Sequence, residues 1–201
     1  VLDANDRIAQ ENRALFDAKG IYVINLMSAP GAGKTTLVEK TILALKDDYR
    51  IAVIEGDIQD TYDADRVAAL GIPAVQINTG GGCHLDGNMI REALSGLDLD
   101  AIDLLIVENV GNLVCPAEFK VGENAKVMLL STPEGADKPA KYPLMFQESS
   151  VLLINKIDLM PYVDFDRDKA LRDARAINQD LTIFEVSCRT GDGLGQWFAW
   201  L

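Results

Sequence analysis

The sequence contains little of what a secreted or membrane protein would need. Its 201 residues include only three cysteines and one histidine. Three cysteines cannot all pair with one another, so the sequence predicts reduced thiols in a cytoplasmic protein rather than a disulfide framework. No apolar run approaches the ~18 residues that span a bilayer, which argues against a transmembrane helix and a membrane partner. The first twenty residues are mixed and charged, unlike a signal peptide.

Positive charge is also scarce, because 19 Lys and Arg face 31 Asp and Glu for a net charge of −12. Proteins that bind nucleic acid neutralise phosphates with Lys and Arg, so no nucleic-acid partner is expected. A hydrophobic content of 48% with 25% charged residues is typical of a globular protein. No repeat or Pro/Gly linker divides the chain. We therefore predict a leader helix in residues 1–20 and one domain in residues 21–201.

Short apolar runs alternate with longer segments of helical periodicity. Seven runs are rich in β-branched residues and leucine, as in parallel strands buried on both faces. They cover residues 21–26, 51–55, 74–77, 103–107, 126–130, 151–155 and 182–186. The helical segments cover residues 34–46, 61–70, 86–96, 139–148, 166–177 and 193–200. This alternation predicts an α/β fold with a mostly parallel, seven-stranded sheet flanked by helices. A leader helix with apolar residues at Leu2, Ile8, Leu15 and Phe16 precedes it.

A phosphate-binding loop follows the first predicted strand, in the stretch SAPGAGKTT that begins at Ser28. It matches the Walker A pattern, in a strand-loop-helix context, except that Ser28 replaces the first glycine. The glycines let backbone N–H groups face the phosphates, Lys34 can reach the β- and γ-phosphates, and Thr35 offers a hydroxyl to Mg²⁺. The expected nucleotide-binding residues here are Gly31, Ala32, Gly33, Lys34, Thr35 and Thr36.

The base-recognition motif is Asn155-Lys156-Ile-Asp158, directly after the sixth predicted strand. At this place an Asn-Lys-x-Asp motif reads guanine, because the carboxylate accepts hydrogen bonds from guanine N1 and N2 that adenine cannot offer. The next strand ends in Ser187 and Cys188, which are similar to the second base-contacting loop of GTPases. The predicted nucleotide is therefore GTP or its product GDP.

Two acidic residues follow strand ends, where open α/β sheets bind ligands. Asp57 follows the second predicted strand, and Glu108 stands where GTPases usually carry the Asp of an Asp-x-x-Gly motif. Together with Thr35 they are the predicted Mg²⁺ ligands, and with Lys34 they form the predicted catalytic set. Asp57 and Asn112 are candidates for orienting the attacking water. Asp63 and Asp65 are open to a simpler interpretation, as a solvated helix start.

Cys83 and His84 are adjacent and follow three glycines, in the stretch GGGCHLDG. Neighbouring side chains diverge in a strand or helix, so both could bind one metal ion only from an irregular loop, which the glycines permit. Cys115 lies a few residues beyond Glu108. Two thiolates and an imidazole suit zinc or nickel. The alternative is a free cysteine beside a surface histidine, and spacing alone does not decide between them.

Several longer stretches resemble the HypB-type GTPases, the hydrogenase nickel-insertion accessory proteins, which are related to the urease accessory GTPases. The matching stretches are NTGGGCHLDGNMI, LIVENVGNLVCPAEF, EGADKPAKYPLMF and LINKIDLMPY. The resemblance runs from about Ile21 to the C-terminus. It implies a cytoplasmic GTPase that dimerises with GTP and delivers Ni²⁺ to a hydrogenase precursor, alongside a HypA-type metallochaperone. It also implies that Cys83, His84 and Cys115 form the metal site. The extra N-terminal nickel site of some members has no counterpart before Ile21.

Two other interpretations of the motifs stay open at this stage. A P-loop kinase would pass the γ-phosphate to a small acceptor, although Asn-Lys-x-Asp has no role in that reaction. A non-catalytic zinc-binding scaffold would use GTP only as a structural ligand. Product analysis separates the first of these from a GTPase, and turnover near zero would favour the second.

Overall fold

The structure, a computed structural model, describes residues 1–58 and 62–201. It contains one seven-stranded sheet with the order β3-β2-β4-β1-β5-β6-β7, and its described strand pairings are all parallel. The strands are β1 (Tyr22–Ser28), β2 (Ile51–Asp57), β3 (Ala74–Asn78), β4 (Leu104–Glu108), β5 (Ala125–Ser131), β6 (Val151–Asn155) and β7 (Thr182–Glu185). The sequence-based prediction of the α/β sheet is confirmed.

The helices cover both faces of this sheet. They are α1 (Leu2–Lys19), α2 (Lys34–Leu45), α3 (Tyr62–Ala68), α4 (Gly87–Ala93), α5 (Cys115–Glu118), α6 (Lys138–Lys141), α7 (Pro143–Glu148), α8 (Arg167–Ile177) and α9 (Leu194–Trp200). Short 3₁₀ helices lie at Leu94–Gly96, Leu99–Ala101, Thr132–Glu134 and Ile157–Tyr162. Within the described part of the chain, no helix is both long enough and apolar enough to cross a membrane.

Alternating side chains of the strands build a core on each face of the sheet. On one face, Ile24 and Leu26 of β1 belong to a cluster that includes Ile42 of α2 and Trp197 of α9. On the other face, Val23 belongs to a cluster with helices α1 and α4, and Met128 of β5 to one with helices α7 and α8. With both faces covered, the carboxyl ends of the strands are the edge available to a ligand.

The leader helix is longer than its apolar pattern indicated, and a different stripe of it is buried. Its buried residues are Asn5, Ala9, Asn12 and Phe16, whereas Leu2 and Leu15 are exposed. The Asn12 amide donates to the carbonyls of Gly87 (2.8 Å) and Val121 (3.1 Å). The expected apolar face was therefore wrong at Leu2 and Leu15, whereas Phe16 is buried and Ile8 is half-buried. Hydrogen bonds to backbone carbonyls let asparagines occupy the buried stripe.

The helices differ from the prediction in two further places. The helix expected over residues 139–148 is two helices, α6 and α7, which meet at Tyr142. Pro143 disfavours a helical conformation at the preceding residue, which explains the break. The short helix α5, whose first residue is Cys115, was not expected from the sequence. The predicted helix at 61–70 is described as Tyr62–Ala68, and residues 59–61 lie outside the described part of the chain.

Candidate functional site

The phosphate-binding loop lies between β1 and α2, and two glycines shape it. Gly31 (φ 77°) and Gly33 (φ 107°) adopt left-handed conformations, which side chains other than glycine rarely accept. The Lys34 ammonium donates to Oγ of Ser28 at 3.0 Å, so it lies across the loop. Helix α2 begins at Lys34, and its free N–H groups therefore face the loop. The result is an anion-binding cradle.

Asn155, at the end of β6, ties this loop to the loop after β7. Its Nδ2 donates to the Ala32 carbonyl at 3.0 Å, and its Oδ1 accepts from the Cys188 N–H at 3.1 Å. A Cβ atom at Gly33 would lie 2.5 Å from Nδ2 of Asn155. The close approach requires glycine at position 33. Asn155 thus organises the nucleotide pocket through backbone contacts.

Lys156 and Asp158 extend the same edge. Lys156 has a positive φ of 63°, and its Nζ donates to the Gly31 carbonyl at 2.7 Å, which places its stem beside the phosphate-binding loop. Oγ of Ser187 donates to a carboxylate oxygen of Asp158 at 2.7 Å. The Cys188 thiol is buried in the core, and burial raises its pKa to about 11. The backbone N–H of Cys188 is the group that bonds Asn155 at this edge.

Four carboxylates gather on the other side of the phosphate-binding loop. Oε1 of Glu108 accepts from the Thr35 hydroxyl at 2.7 Å, and its Oε2 is buried without a partner. Glu55 is beside Glu108 on the neighbouring strand and also has a buried, unpartnered Oε2. Oxygens of Glu55, Asp57 and Asp63 lie within 4.8 Å of one another. A hard divalent cation would satisfy such oxygens, so the group fits Mg²⁺.

The electrostatics of these carboxylates follow from their burial. Burial raises the pKa of Glu108 to about 7, against the opposing charge of Lys34. Burial, reinforced by the charges of Glu108 and Asp57, raises the pKa of Glu55 to about 8. Burial also lowers the pKa of Lys34, with Glu108 opposing the shift. The site thus carries more carboxylates than the half-buried Lys34 can balance, and an added cation would stabilise their ionised forms.

A cavity of about 500 Å³ joins these parts. It is lined by the phosphate-binding loop, Thr35, Thr36, the end of β2, the loop after Glu108, and Lys156. The predicted residues Lys34, Asp57 and Glu108 therefore share one cavity. Asp65 is exposed, as its simpler interpretation expected, whereas Asp63 lines the cavity and pairs with Arg66 at 3.3 Å. The Asn112 side chain accepts N–H bonds from residues 114 and 115, so it is held against α5.

The structure brings the three predicted soft ligands together. Sγ of Cys83 lies 2.7 Å from Sγ of Cys115 and 3.5 Å from Nδ1 of His84. Ligand atoms of all three residues lie within 4.8 Å of one another. Gly80 (φ 60°) and Gly81 (φ 99°) take left-handed conformations in the loop that carries Cys83. This irregular path allows two adjacent side chains to face the same point.

The surroundings of these ligands favour the metal-binding protonation state of His84 but not that of Cys115. The His84 ring stacks on Phe119, with centroids 3.8 Å apart, and burial lowers the pKa of His84. A neutral imidazole with a fixed ring plane is a ready ligand. The hydrogen bond with Cys83, followed by burial, raises the pKa of Cys115. A metal ion must therefore displace a proton from this thiol.

Sequence reasoning missed three residues of the site. Glu55 was taken only as part of a strand, although an acid inside the apolar run IAVIE was a signal. Phe119 and Asn109 carried no such signal, because their roles depend on contacts between distant loops. Phe119 stacks on His84, and the buried Asn109 side chain accepts from the N–H of Leu85.

The fold and the cavity define a P-loop nucleotide-binding protein of the α/β class. A family model described as CobW/HypB/UreG, nucleotide-binding domain, matches residues 22–185. The hydrogenase maturation factor HypB of Escherichia coli K12 is 52% identical over 201 residues, all of this chain and 69% of that protein. HypB of Azotobacter vinelandii is also 52% identical, over 100% of this chain and 66% of that protein. The chain thus spans about two thirds of the length of these relatives.

Two solved HypB structures have the same fold as this chain. HypB from Helicobacter pylori in complex with nickel superposes with a TM-score of 0.93 at 38% identity, covering 98% of this chain and 93% of that one. HypB from Archaeoglobus fulgidus gives a TM-score of 0.92 at 38% identity, covering 98% and 97%. The chain therefore belongs to the CobW/HypB/UreG family, as a P-loop GTPase of the HypB type. The resemblance predicted from the sequence is confirmed.

Proposed function

We propose that this GTPase is a metallochaperone that binds Ni²⁺ at Cys83, His84 and Cys115 and assists nickel insertion into a [NiFe]-hydrogenase precursor. The observation that carries the proposal is the convergence of two thiols and an imidazole at the end of the loop that begins at Glu108. The names of the relatives support it, since they are hydrogenase maturation factors and one was crystallised with nickel.

In the GTPase reaction, backbone N–H groups of residues 31–36 and the Lys34 ammonium hold the phosphates and neutralise charge that develops on them. Thr35, Asp57 and Glu108 would hold Mg²⁺, with the Glu55 and Asp63 carboxylates beside Asp57 adding negative charge around the ion. When bound, Mg²⁺ supplies further positive charge to the phosphate oxygens. Asp158 accepts hydrogen bonds from the guanine edge. Ser187 fixes the Asp158 carboxylate, and the backbone at Cys188 completes the base pocket.

Three protein ligands leave a tetrahedral site one ligand short. We propose that a water molecule or a second copy of the chain supplies the fourth, which accounts for a GTP-dependent homodimer. Zn²⁺ fits the same ligands as Ni²⁺. A HypA-type metallochaperone and the hydrogenase large-subunit precursor are the proposed protein partners. The net charge of −12 supports a role without nucleic acid, and the three free thiols suit the cytoplasm.

Nickel binding to Cys115→Ala tests the metal assignment. We expect the Ni²⁺ affinity to fall by at least roughly 100-fold, because changing residues one shell further from a metal already costs 10–100-fold. Cys188→Ala is the matched control, since its thiol is buried in the core away from the cluster. Unchanged nickel affinity in Cys115→Ala would contradict the ligand assignment.

The enzymatic part is tested by product analysis. Incubation with GTP and Mg²⁺ should release inorganic phosphate and GDP without a phosphorylated acceptor. Asp158→Asn should weaken GTP binding, because an amide N–H would face the guanine donors, while the folded structure is kept. A phosphorylated small molecule would instead support the kinase interpretation.

A further inference from the structure

The segment from Glu108 to Cys115 runs from the nucleotide cavity to the metal cluster. Along the way it is bonded to the end of β1, where the phosphate-binding loop begins, and it packs against that loop. The Asn109 N–H donates to the Leu26 carbonyl at 2.9 Å, and the Asn112 N–H donates to the Ser28 carbonyl at 2.8 Å. A Cβ at Gly111 would lie 3.0 Å from Pro30. A conformational change in the phosphate-binding loop would therefore displace this segment directly.

The Asn109 side chain links the same segment to the loop of Cys83 and His84. It is 1% exposed, and its Oδ1 accepts from the N–H of Leu85 at 3.0 Å. Its Nδ2 donates to Oδ1 of Asn25 in β1 at 3.0 Å, which fixes the amide orientation. Leu85 directly follows His84, so displacement of Asn109 would move the backbone that carries the imidazole.

Leu85 also contacts the other wall of the nucleotide cavity. Its side chain is fully buried, and a Cβ at Gly56 would lie 2.7 Å from it. Gly56 stands between Glu55 and Asp57 on β2. The residue after His84 is thus in contact with both strand ends that carry the predicted Mg²⁺ ligands. The tight packing leaves little room for those strand ends to shift independently of it.

Asn112 makes the corresponding link to the second cysteine. Its Oδ1 accepts from the N–H groups of Val114 (2.7 Å) and Cys115 (3.2 Å). These bonds fix the start of α5, which carries the Cys115 thiol. Its own N–H is bonded to the phosphate-binding loop, so one residue connects the loop to a metal ligand.

We propose that Asn109 and Asn112 are positioning residues that transmit the nucleotide state to the two halves of the metal cluster. Asn109 acts through Leu85 on His84, and Asn112 acts on Cys115. This inference rests on the proposed nickel site. Each asparagine has a contact with the β1 and phosphate-loop region and a contact with a metal-ligand segment. Coupling between two sites is reciprocal, so the same bonds carry the effect of bound metal on nucleotide affinity.

The test is the ratio of Ni²⁺ dissociation constants measured with GDP and with a non-hydrolysable GTP analogue, both with Mg²⁺. In the native chain we expect a ratio of ~5 to ~150, the usual range of allosteric coupling. Asn109→Ala and Asn112→Ala should each reduce it at least severalfold toward one, although both variants still bind nickel and nucleotide. Asn88→Ala is the control, since Asn88 is exposed on α4 and its side chain donates to Glu92 at 2.8 Å on the same helix. It should keep the native ratio.

The outcomes distinguish failure of the proposed nickel site from failure of this inference. A native chain that binds no Ni²⁺ in either nucleotide state would refute the proposed nickel site. Nickel binding with a native ratio of one would leave that site standing and refute this inference. A large native ratio that persists in folded Asn109→Ala and Asn112→Ala would refute the inference alone. A merely structural role would weaken nickel binding equally in both nucleotide states and leave the ratio unchanged. If Asn109→Ala does not fold, the half-buried Asn112 decides, because a native ratio in Asn112→Ala overturns the proposal.

Discussion

Replacing Asn155 with alanine should both destabilise the protein and weaken GTP binding. The side chain is 2% exposed and pairs the Ala32 carbonyl with the Cys188 N–H, at 3.0 and 3.1 Å. The variant leaves both backbone groups without this partner. A buried unpaired group costs about 1–3 kcal/mol, so two cost about 2–6 kcal/mol. Because the phosphate-binding loop borders an open cavity, water can reach part of the site. We therefore expect the free energy of unfolding to fall by about 2–3 kcal/mol.

Urea unfolding followed by circular dichroism measures this loss. For a chain of this length, about 2–3 kcal/mol corresponds to a decrease of roughly 4–12 °C in Tm. GTP affinity should fall as well, because the phosphate-binding loop loses its tie to the base-binding edge. Asn155→Asp is informative beside it, since it keeps the acceptor for Cys188 but places a carboxylate against the Ala32 carbonyl. It should be at least as destabilising at neutral pH.

The exposed Asn88→Ala should change the unfolding free energy by less than about 0.5 kcal/mol, as surface substitutions usually do. If Asn155→Ala also lost less than about 0.5 kcal/mol, the two bonds would not join the loops as we describe. Normal stability with lost GTP binding would likewise contradict the structural role and favour direct contact with the nucleotide.

Two predictions concern pH. The hydrogen bond with Cys83 and burial raise the pKa of Cys115 above its usual value, so nickel must displace a proton from this thiol at neutral pH. Calorimetry should show the Ni²⁺ affinity rising up to about tenfold per pH unit for each displaced proton. An affinity that does not change between about pH 6.5 and 8 would contradict thiolate ligation. The Arg50 guanidinium lowers the pKa of Asp103 to about 2, below the ~3.9 of the unfolded chain, so this contribution to stability is present above about pH 4 and lost as pH falls toward 2. Acid unfolding of Asp103→Asn should be less steep over that interval, and an unchanged slope would refute the assignment.

Local patterns predicted the sheet and the nucleotide motifs because each depends on a few consecutive residues. Apolar runs such as VLLIN became buried strands, and SAPGAGKTT lies between a strand and a helix as expected. The break at Pro143 was also readable in principle, since proline restricts the residue before it. The leader helix shows the limit of this reasoning, because apolar periodicity cannot identify asparagines that are buried through bonds to distant carbonyls.

The site depended more strongly on the tertiary structure. The sequence pointed to Cys83, His84 and Cys115 as candidates, but only the fold brings residues 83 and 115 to a sulfur–sulfur distance of 2.7 Å. Glu55 joins the cavity because β2 and β4 are neighbours in the sheet, although β3 separates them in the chain. Asn109 gains its role because Leu85, from another loop, presents its N–H to it.

The sequence by itself determined the fold class, the phosphate-binding loop, the base motif and the chemical types of the metal ligands. Backbone freedom, hydrophobic periodicity and side-chain chemistry are local properties, and short motifs carry them. The tertiary structure alone decided which residues share a cavity, which carboxylates are buried together, and how the Glu108–Cys115 segment is bonded to both sites. These features depend on strand order and on contacts between residues far apart in the chain, and hydrogen bonds such as that from Leu85 to Asn109 form only once the sheet has assembled.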